Sequence, residues 1–175
     1  MARQKSVRVA RPLKWIRRPE ILLLPPIPEP MHGMAPRVVL GASWWNRTRL
    51  AAYKSTDYHC VACGVFKTDA KSRKWLECHE VYDIDYLLGR MTYVCAVPLC
   101  HYCHNYCHPG RMKALLDKGE MTHAKYAGII QHGDAVLRNA RLRKKDKPTE
   151  LSEWAEAGDW RLVIDGVEYA RKDYV

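Results

Sequence analysis

The sequence predicts a small α+β domain that is held together by a metal site and flanked by helices and a β-hairpin. Two Cys-x2-Cys pairs supply the metal ligands, Cys60 with Cys63 and Cys100 with Cys103. Helical periodicity on either side of these pairs predicts the flanking helices. Near the C-terminus, two alternating apolar runs are joined by an Asp-Gly pair at residues 165–166. Such a pair favours a type I′ turn and predicts a hairpin.

The N-terminal region is strongly basic and then rich in proline. Residues 1–18 contain seven Lys and Arg side chains and no acidic one. A segment so charged is predicted to be a mobile arm. It suits contact with DNA phosphates and, equally well, a solubilising tail. The prolines between Pro25 and Pro30 favour polyproline II and predict a semi-rigid spacer up to about Pro36.

A first helix is predicted over residues 44–54, with Ser43 or Asn46 as its N-cap. Apolar and aromatic side chains recur along it at near-helical spacing: Trp45, Leu50 and Tyr53. These side chains are expected to cover the metal core.

Further helical patterns follow at residues 112–116 and 124–140. Thr122 is a suitable cap for the second of them, and Gly119 and Gly133 are predicted as breaks or kinks. A second basic cluster lies beyond these helices and contains Arg141, Arg143, Lys144, Lys145 and Lys147.

The overall charge points to a polyanionic partner. A formal net charge of +10 raises the local concentration of polyanions, so nucleic acid is the expected partner and an anionic membrane surface the next choice. The apolar stretch at residues 21–24 is too short for a membrane span. The odd number of cysteines, their pairing as Cys-x2-Cys and the lack of a secretory leader favour a reducing, cytoplasmic location.

The two cysteine pairs are predicted to bind one structural zinc ion. Four thiolates complete a tetrahedron and leave no open position, so such an ion ties distant segments together and stabilises a small fold. Two unrelated pairs of reduced cysteines are the alternative. Three neighbouring side chains are alternative ligands: His59, Cys95 and Cys107.

A second metal site is predicted from histidines around the second pair. If residues 103–108 form a short helix ended by Pro109 and Gly110, His104 and His108 project from the same face and can bind one ion. A strand-like segment between the pairs adds His79 and Glu80. Such ligands leave open positions for phosphate and water, which suits catalysis.

In this order the motifs resemble those of the HNH endonucleases, in a zinc-knuckled form common among phage and bacterial proteins. The matching motifs are Cys60-x2-Cys63, Leu76-Glu-Cys-His79-Glu80-Val81 and Leu99-Cys100-x2-Cys103-His104-x3-His108. The resemblance implies a ββα-metal core in which a hairpin carries the first histidine and a helix the last. The central asparagine of the family has no counterpart in residues 93–97, and Asn105 lies after the second pair instead.

The resemblance divides the chain into three parts: a basic arm and proline-rich spacer (1–40), the zinc and ββα-metal domain (41–112), and a helical extension with the C-terminal hairpin (113–175). It implies a protein of a bacterial or phage-infected cell that cuts double-stranded DNA. Arg90, Arg111 and Lys113 flank the ligand segments and are candidate phosphate contacts.

Two registers of the catalytic strand are open. The family reads an apolar residue, two further residues, then Asp or His followed by His and an apolar residue. With Leu76 as the first apolar residue, the favoured register makes His79 a metal ligand with His104 and His108, and Glu80 the general base. The other register makes His79 the base and Cys78 the ligand. The second ion is expected to be Mg²⁺, Mn²⁺, Ni²⁺ or Zn²⁺.

The expected function is therefore metal-dependent hydrolysis of DNA phosphodiester bonds. A zinc-stapled DNA-binding module without catalysis is the first alternative, and the basic arm and cysteine pairs would suffice for it. A protein that binds and controls a host enzyme is the second.

Overall fold

A computed structural model describes residues 15–144 and 159–175. Within these ranges the chain is α+β. Its α-helices are α1 (Pro36–Ser55), α2 (His101–Cys107), α3 (Pro109–Asp117) and α4 (His123–Asn139). Its strands are β1 (Leu76–Asp85), β2 (Arg90–Cys100), β3 (Arg161–Ile164) and β4 (Val167–Ala170).

The four strands form one sheet in the order β1-β2-β3-β4. β1 and β2 are antiparallel, with a register shift after Val81, and β3 lies parallel to β2. The predicted C-terminal hairpin is confirmed as β3 and β4. Asp165 and Gly166 have φ of 50° and 80°, as a type I′ turn requires. The hairpin therefore extends the same sheet that β1 and β2 begin.

A β1-β2-α2 unit lies at the centre of the fold. β2 ends at Cys100, and α2 begins at the next residue. Cys100 caps α2, because its sulfur accepts a hydrogen bond from the Cys103 backbone N–H at 3.5 Å. The second cysteine pair is thus the junction between strand and helix.

Helix α1 begins earlier than predicted. It starts at Pro36, whose fixed φ and missing N–H suit the first helical position. The helix is kinked at Gly41, where φ is 78°. The prediction that Ser43 or Asn46 caps the helix is wrong, since both residues lie inside it.

The predictions for α3 and α4 are partly confirmed. Thr122 caps α4 by accepting a hydrogen bond from the Lys125 N–H at 3.2 Å, and Gly119, with φ of 72°, follows α3. The prediction for Gly133 is wrong, because α4 continues through this residue. A Cβ at that position would lie 2.1 Å from the Tyr106 ring, so glycine allows α4 to approach α2 closely. Pro109 ends α2 and also begins α3.

The apolar stretch at residues 21–24 and the segment predicted as a spacer both pack onto the fold. Ile21 is buried in a cluster around the cysteine pairs that includes Leu99 and Ile129. Further along, Met31 is buried in a second cluster beside Leu162 of the hairpin. The apolar residues between the prolines thus bridge the two cores. Most of the predicted basic arm, and Lys145 and Lys147, lie outside the described residues.

No helix among the described residues is both long enough and apolar enough to cross a membrane. No disulfide joins any of the seven cysteines, all of which lie in the described part of the chain.

Candidate metal centres

The four cysteines of the two pairs come together as one cluster. The sulfur atoms of Cys60, Cys63, Cys100 and Cys103 all lie within 4.8 Å of one another. Cys63 Sγ and Cys100 Sγ are 3.8 Å apart. Two thiolates about 2.3 Å from a tetrahedral zinc ion are separated by about the same distance. The cluster can therefore hold a structural metal ion such as zinc.

Hydrogen bonds among the four sulfur atoms favour thiolate at Cys60 and raise the pKa of Cys103. Burial raises the pKa of the Cys60 thiol, but hydrogen bonds from Cys100, Cys103 and Cys63 outweigh burial and bring that pKa well below its usual value. The turn after Cys60 is closed by a hydrogen bond from the Gly64 N–H to the Cys60 carbonyl at 2.8 Å. Zinc binds thiolate and not thiol, so Cys60 is already in the form that the ion needs.

A histidine that the sequence did not single out lies against the cysteine cluster. The Nε2 atom of His132 is 3.4 Å from Cys103 Sγ and 4.0 Å from Cys100 Sγ. His132 belongs to α4, so this contact ties the helical extension to the metal site. The alternative ligand His59 instead packs between the rings of Trp15 and Phe66.

The other two alternative ligands also lie outside the four-cysteine cluster. Cys107 directs its sulfur to the Ile21 carbonyl at 3.7 Å, and Cys95 lies on the β2 strand. Neither joins the cysteines that could share an ion.

Three histidines form a second cluster. His79 is on β1, His104 is on α2, and His108 directly follows α2. One ring nitrogen from each lies within 4.8 Å of those of the others. The two Nε2 atoms of His104 and His108 are 3.3 Å apart. Two ligands about 2.1 Å from a tetrahedral ion are separated by about 3.4 Å. The geometry suits one shared cation.

Two histidines of this cluster, His79 and His108, are poised to be neutral. Burial, reinforced by the nearby His104 and His108, lowers the pKa of His79 well below its usual value. Burial, His104 and Arg111 lower the pKa of His108 to about 4. Metal binding needs neutral imidazole. With these lowered pKa values, the two ligands are already neutral at pH 7 and need not lose a proton to bind an ion.

Glu77 orients the histidine cluster, a role that the sequence did not indicate. One carboxylate oxygen accepts a hydrogen bond from His101 Nδ1 at 2.7 Å, and the other accepts one from His104 Nδ1. Since Nδ1 of His104 is engaged, Nε2 is presented to the other histidines. Burial raises the pKa of Glu77, but the two histidines outweigh burial and hold that pKa well below its usual range.

Asn105 lies beneath this network. It is 1% exposed and donates a hydrogen bond to the His101 carbonyl at 2.8 Å. This hydrogen bond joins one turn of α2 to the next and stabilises the helix.

Glu80 and Cys78 lie on the other face of β1, because successive side chains of a strand alternate between faces. Glu80 accepts a hydrogen bond from Arg37 Nη1 at 2.8 Å. Burial raises the pKa of Glu80, and the Arg37 charge opposes that shift. Cys78 has its pKa raised to about 12 by burial and by the Glu80 charge. The structure thus places His79, and not Cys78, with His104 and His108.

A cleft of about 540 Å³ runs along the free edge of β1. His79, His108 and Glu80 line it, and the guanidinium groups of Arg37 and Arg111 are beside them. The packed segment between residues 24 and 35 forms much of the remaining wall. The cleft therefore combines the histidine cluster with two cations.

The three basic residues predicted to contact phosphate occupy different places. Arg111 lines the cleft. Arg90 forms an ion pair with Glu168 at 2.7 Å and lies roughly 23 Å along β2 from the level of His79. Lys113 forms an ion pair with Asp117 at 2.7 Å. Arg37 is a cleft residue that the sequence did not indicate.

Comparisons with protein-family models, with curated proteins and with solved structures found no match.

Proposed function

We propose that the protein is a metal-dependent DNA endonuclease of the HNH type, which hydrolyses phosphodiester bonds in double-stranded DNA. The observation that carries the proposal is the convergence of His79, His104 and His108 on one point beside a cleft with two guanidinium groups. The four-cysteine cluster would hold zinc and stabilise the fold. The histidine cluster would hold a second divalent cation.

Each group of the cleft has a role in this proposal. The three histidines would hold the cation, and Glu77 fixes the orientation of His104. A divalent cation bound there supplies positive charge to the phosphate in the transition state. Arg37 and Arg111 bind and orient the phosphate through charge-assisted hydrogen bonds.

Glu80 is the proposed general base. It takes a proton from water, the water oxygen attacks phosphorus, and the bond to the 3′ oxygen breaks, which leaves a 5′-phosphate. In the structure the carboxylate of Glu80 is paired with Arg37. A phosphate that engages Arg37 would release Glu80 to accept the proton. His79 then serves as a ligand and not as the base.

The proposed location is the cytoplasm of a bacterial or phage-infected cell. Seven cysteines without a disulfide suit a reducing compartment.

A plasmid nicking assay tests the activity. Zinc-loaded protein is incubated with supercoiled plasmid and added Mg²⁺, Mn²⁺, Ni²⁺ or Zn²⁺. The parent should nick the plasmid, and His104→Ala should lose about 100-fold or more in rate, because removal of one ligand removes transition-state stabilisation. His123→Ala, an exposed histidine at the start of α4, is the matched control and should keep the parent rate. A parent that cuts with none of these ions would favour a non-catalytic DNA-binding or host-interaction protein.

Glu80→Gln identifies the general base. The substitution keeps the shape of the side chain and removes the proton acceptor, so near-complete loss of rate with unchanged cation affinity supports Glu80. Near-normal cleavage would assign the base to His79.

A further inference from the structure

Helix α1 covers the sheet with only a small part of its surface. Of its 20 residues, Pro36 and Ala52 alone are buried. Val38 and Leu50 are 40% and 46% exposed. A helix that rests on a core usually buries a continuous apolar stripe. The outward side of α1 therefore has apolar groups that the described part of the chain leaves uncovered.

The same helix is exclusively cationic. No acidic residue occurs between Glu29 and Asp57. Arg47 and Lys54 are exposed on the outward side and, among the described residues, neither has an acidic group within ion-pair distance. Arg47, Leu50 and Lys54 follow at intervals of three and four, so they share one face of the helix. We call these three residues the α1 face. It has two cations with one aliphatic side chain between them.

The α1 face is connected to the cleft through aromatic and cationic side chains. Arg37, which pairs with Glu80 in the cleft, lies 5.5 Å from the centre of the Trp45 ring. Trp44 packs on Trp45 and contacts Tyr93 edge-on at 5.7 Å. A polyanion that leaves the cleft past Arg37 therefore meets indole rings and then the α1 face.

We propose that α1 binds an unpaired strand of DNA, with phosphates on Arg47 and Lys54 and bases against Leu50 and the half-buried Trp44, which lies three residues before Arg47 on the same side of the helix. Cationic side chains interleaved with aromatic and aliphatic ones fit single strands, whose bases are accessible to stacking. The backbone of a duplex offers charge but no apolar partner. An interfacial membrane helix would present a broad apolar face, whereas the α1 face has a single exposed aliphatic side chain between two cations.

The binding needs neither the second cation nor cleavage, so it is measured without either. Fluorescence anisotropy of a labelled oligothymidylate, and of its duplex with oligodeoxyadenylate, is recorded with zinc-loaded protein and no added divalent cation. The parent should bind the single strand more tightly than the duplex. Absence of cleavage in the nicking assay would leave this result intact, so the two proposals fail separately.

Charge reversal tests the phosphate contacts. Arg47→Glu combined with Lys54→Glu changes the α1 face, whereas Lys118→Glu combined with Arg138→Glu changes exposed residues at the C-terminal ends of α3 and α4. Each variant lowers the net charge from +10 to +6. The α1 variant should bind the single strand about tenfold more weakly. Its log-log salt slope should be shallower by about 1.4, since each single-strand phosphate contributes about 0.7. The control should keep most of the parent affinity.

Leu50→Ser tests the contact with bases at an exposed position that does not support the core. It should weaken single-strand binding and leave duplex binding unchanged, and thermal unfolding confirms that all variants are folded. Equal losses in the two charge-reversal variants would overturn the proposal, because diffuse charge would then explain the affinity. Duplex binding at least as tight as single-strand binding would also overturn it. So would binding to anionic phospholipid vesicles that depends on α1 without any oligonucleotide binding.

Discussion

Gly133→Ala should destabilise the protein and disturb the histidine cluster. A Cβ at position 133 would lie 2.1 to 2.4 Å from three ring carbons of Tyr106, whereas ordinary carbon contacts are at least about 3.4 Å. Either α4 or the Tyr106 ring must move by about 1 Å. Tyr106 also donates a hydrogen bond to Asp134 at 2.8 Å, which such a movement would weaken. Tyr106 is on α2 and lies between His104 and His108 in the chain, so the displacement reaches the candidate ligands.

The size of the effect follows from three contributions. Overpacking costs about 1 to 3 kcal/mol, and loss of the Tyr106 hydrogen bond costs about 1 kcal/mol more. Alanine has a higher helix propensity than glycine, which adds back about 1 kcal/mol to the free energy of unfolding. The net loss is about 2 kcal/mol, which lowers Tm by roughly 4 to 8 °C for a chain of this size.

Gly128→Ala is the matched control within the same helix. The nearest atom to its new Cβ would be the Tyr102 hydroxyl at 3.6 Å, an ordinary contact. This variant should gain about 1 kcal/mol and raise Tm by roughly 2 to 4 °C. Thermal unfolding of the zinc-loaded proteins, followed by circular dichroism, measures both changes. If Gly133→Ala is as stable as Gly128→Ala, the close packing of α4 on α2 is refuted.

Two further variants separate the two candidate metal centres. Cys60→Ser should unfold or greatly destabilise the protein, because a four-thiolate zinc site contributes folding free energy; a variant that keeps one tightly bound zinc and the parent Tm would contradict the four-cysteine site. Glu77→Gln should keep the zinc and the fold but weaken binding of the second cation by about 10- to 100-fold in calorimetric titration, since His104 loses its orienting partner; an unchanged affinity would show that Glu77 has no such role.

Local spacing explains what could be predicted from the sequence. Residues four apart on a helix share a face, so the meeting of His104 and His108 follows from their numbers alone. An Asp-Gly pair between alternating runs determines the hairpin turn at residues 165–166 in the same way. The pairing of Cys60-x2-Cys63 with Cys100-x2-Cys103 was predictable because four such ligands complete one tetrahedral site.

Contacts between distant segments could not be predicted in this way. Arg37 and Glu80 are 43 residues apart, and His132 is 29 residues from Cys103. These pairs meet only because α1 and α4 pack against the central unit, and no local pattern specifies that packing. Glu77 was overlooked for a related reason. Its partner His104 is on another element, and a lone glutamate in a strand carries no motif of its own.

Gly133 and the proline-rich segment show how tertiary packing changes the meaning of a local signal. Glycine in a helical pattern usually indicates a break, but here it makes room for the Tyr106 ring. The prolines indicated an extended spacer, whereas the apolar residues around them, such as Met31, are buried in the core.

The number of metal ions per chain distinguishes a protein with two metal centres from one that holds structural zinc alone. Native mass spectrometry, with the parent and His79→Ala each loaded with zinc and then titrated with a second divalent cation, counts the bound ions. We expect two ions on the parent, and one ion on a folded His79→Ala variant that no longer nicks plasmid. A parent that binds only one ion, or a His79→Ala variant that binds two and still cuts DNA, would rule out the histidine cluster as the catalytic metal centre.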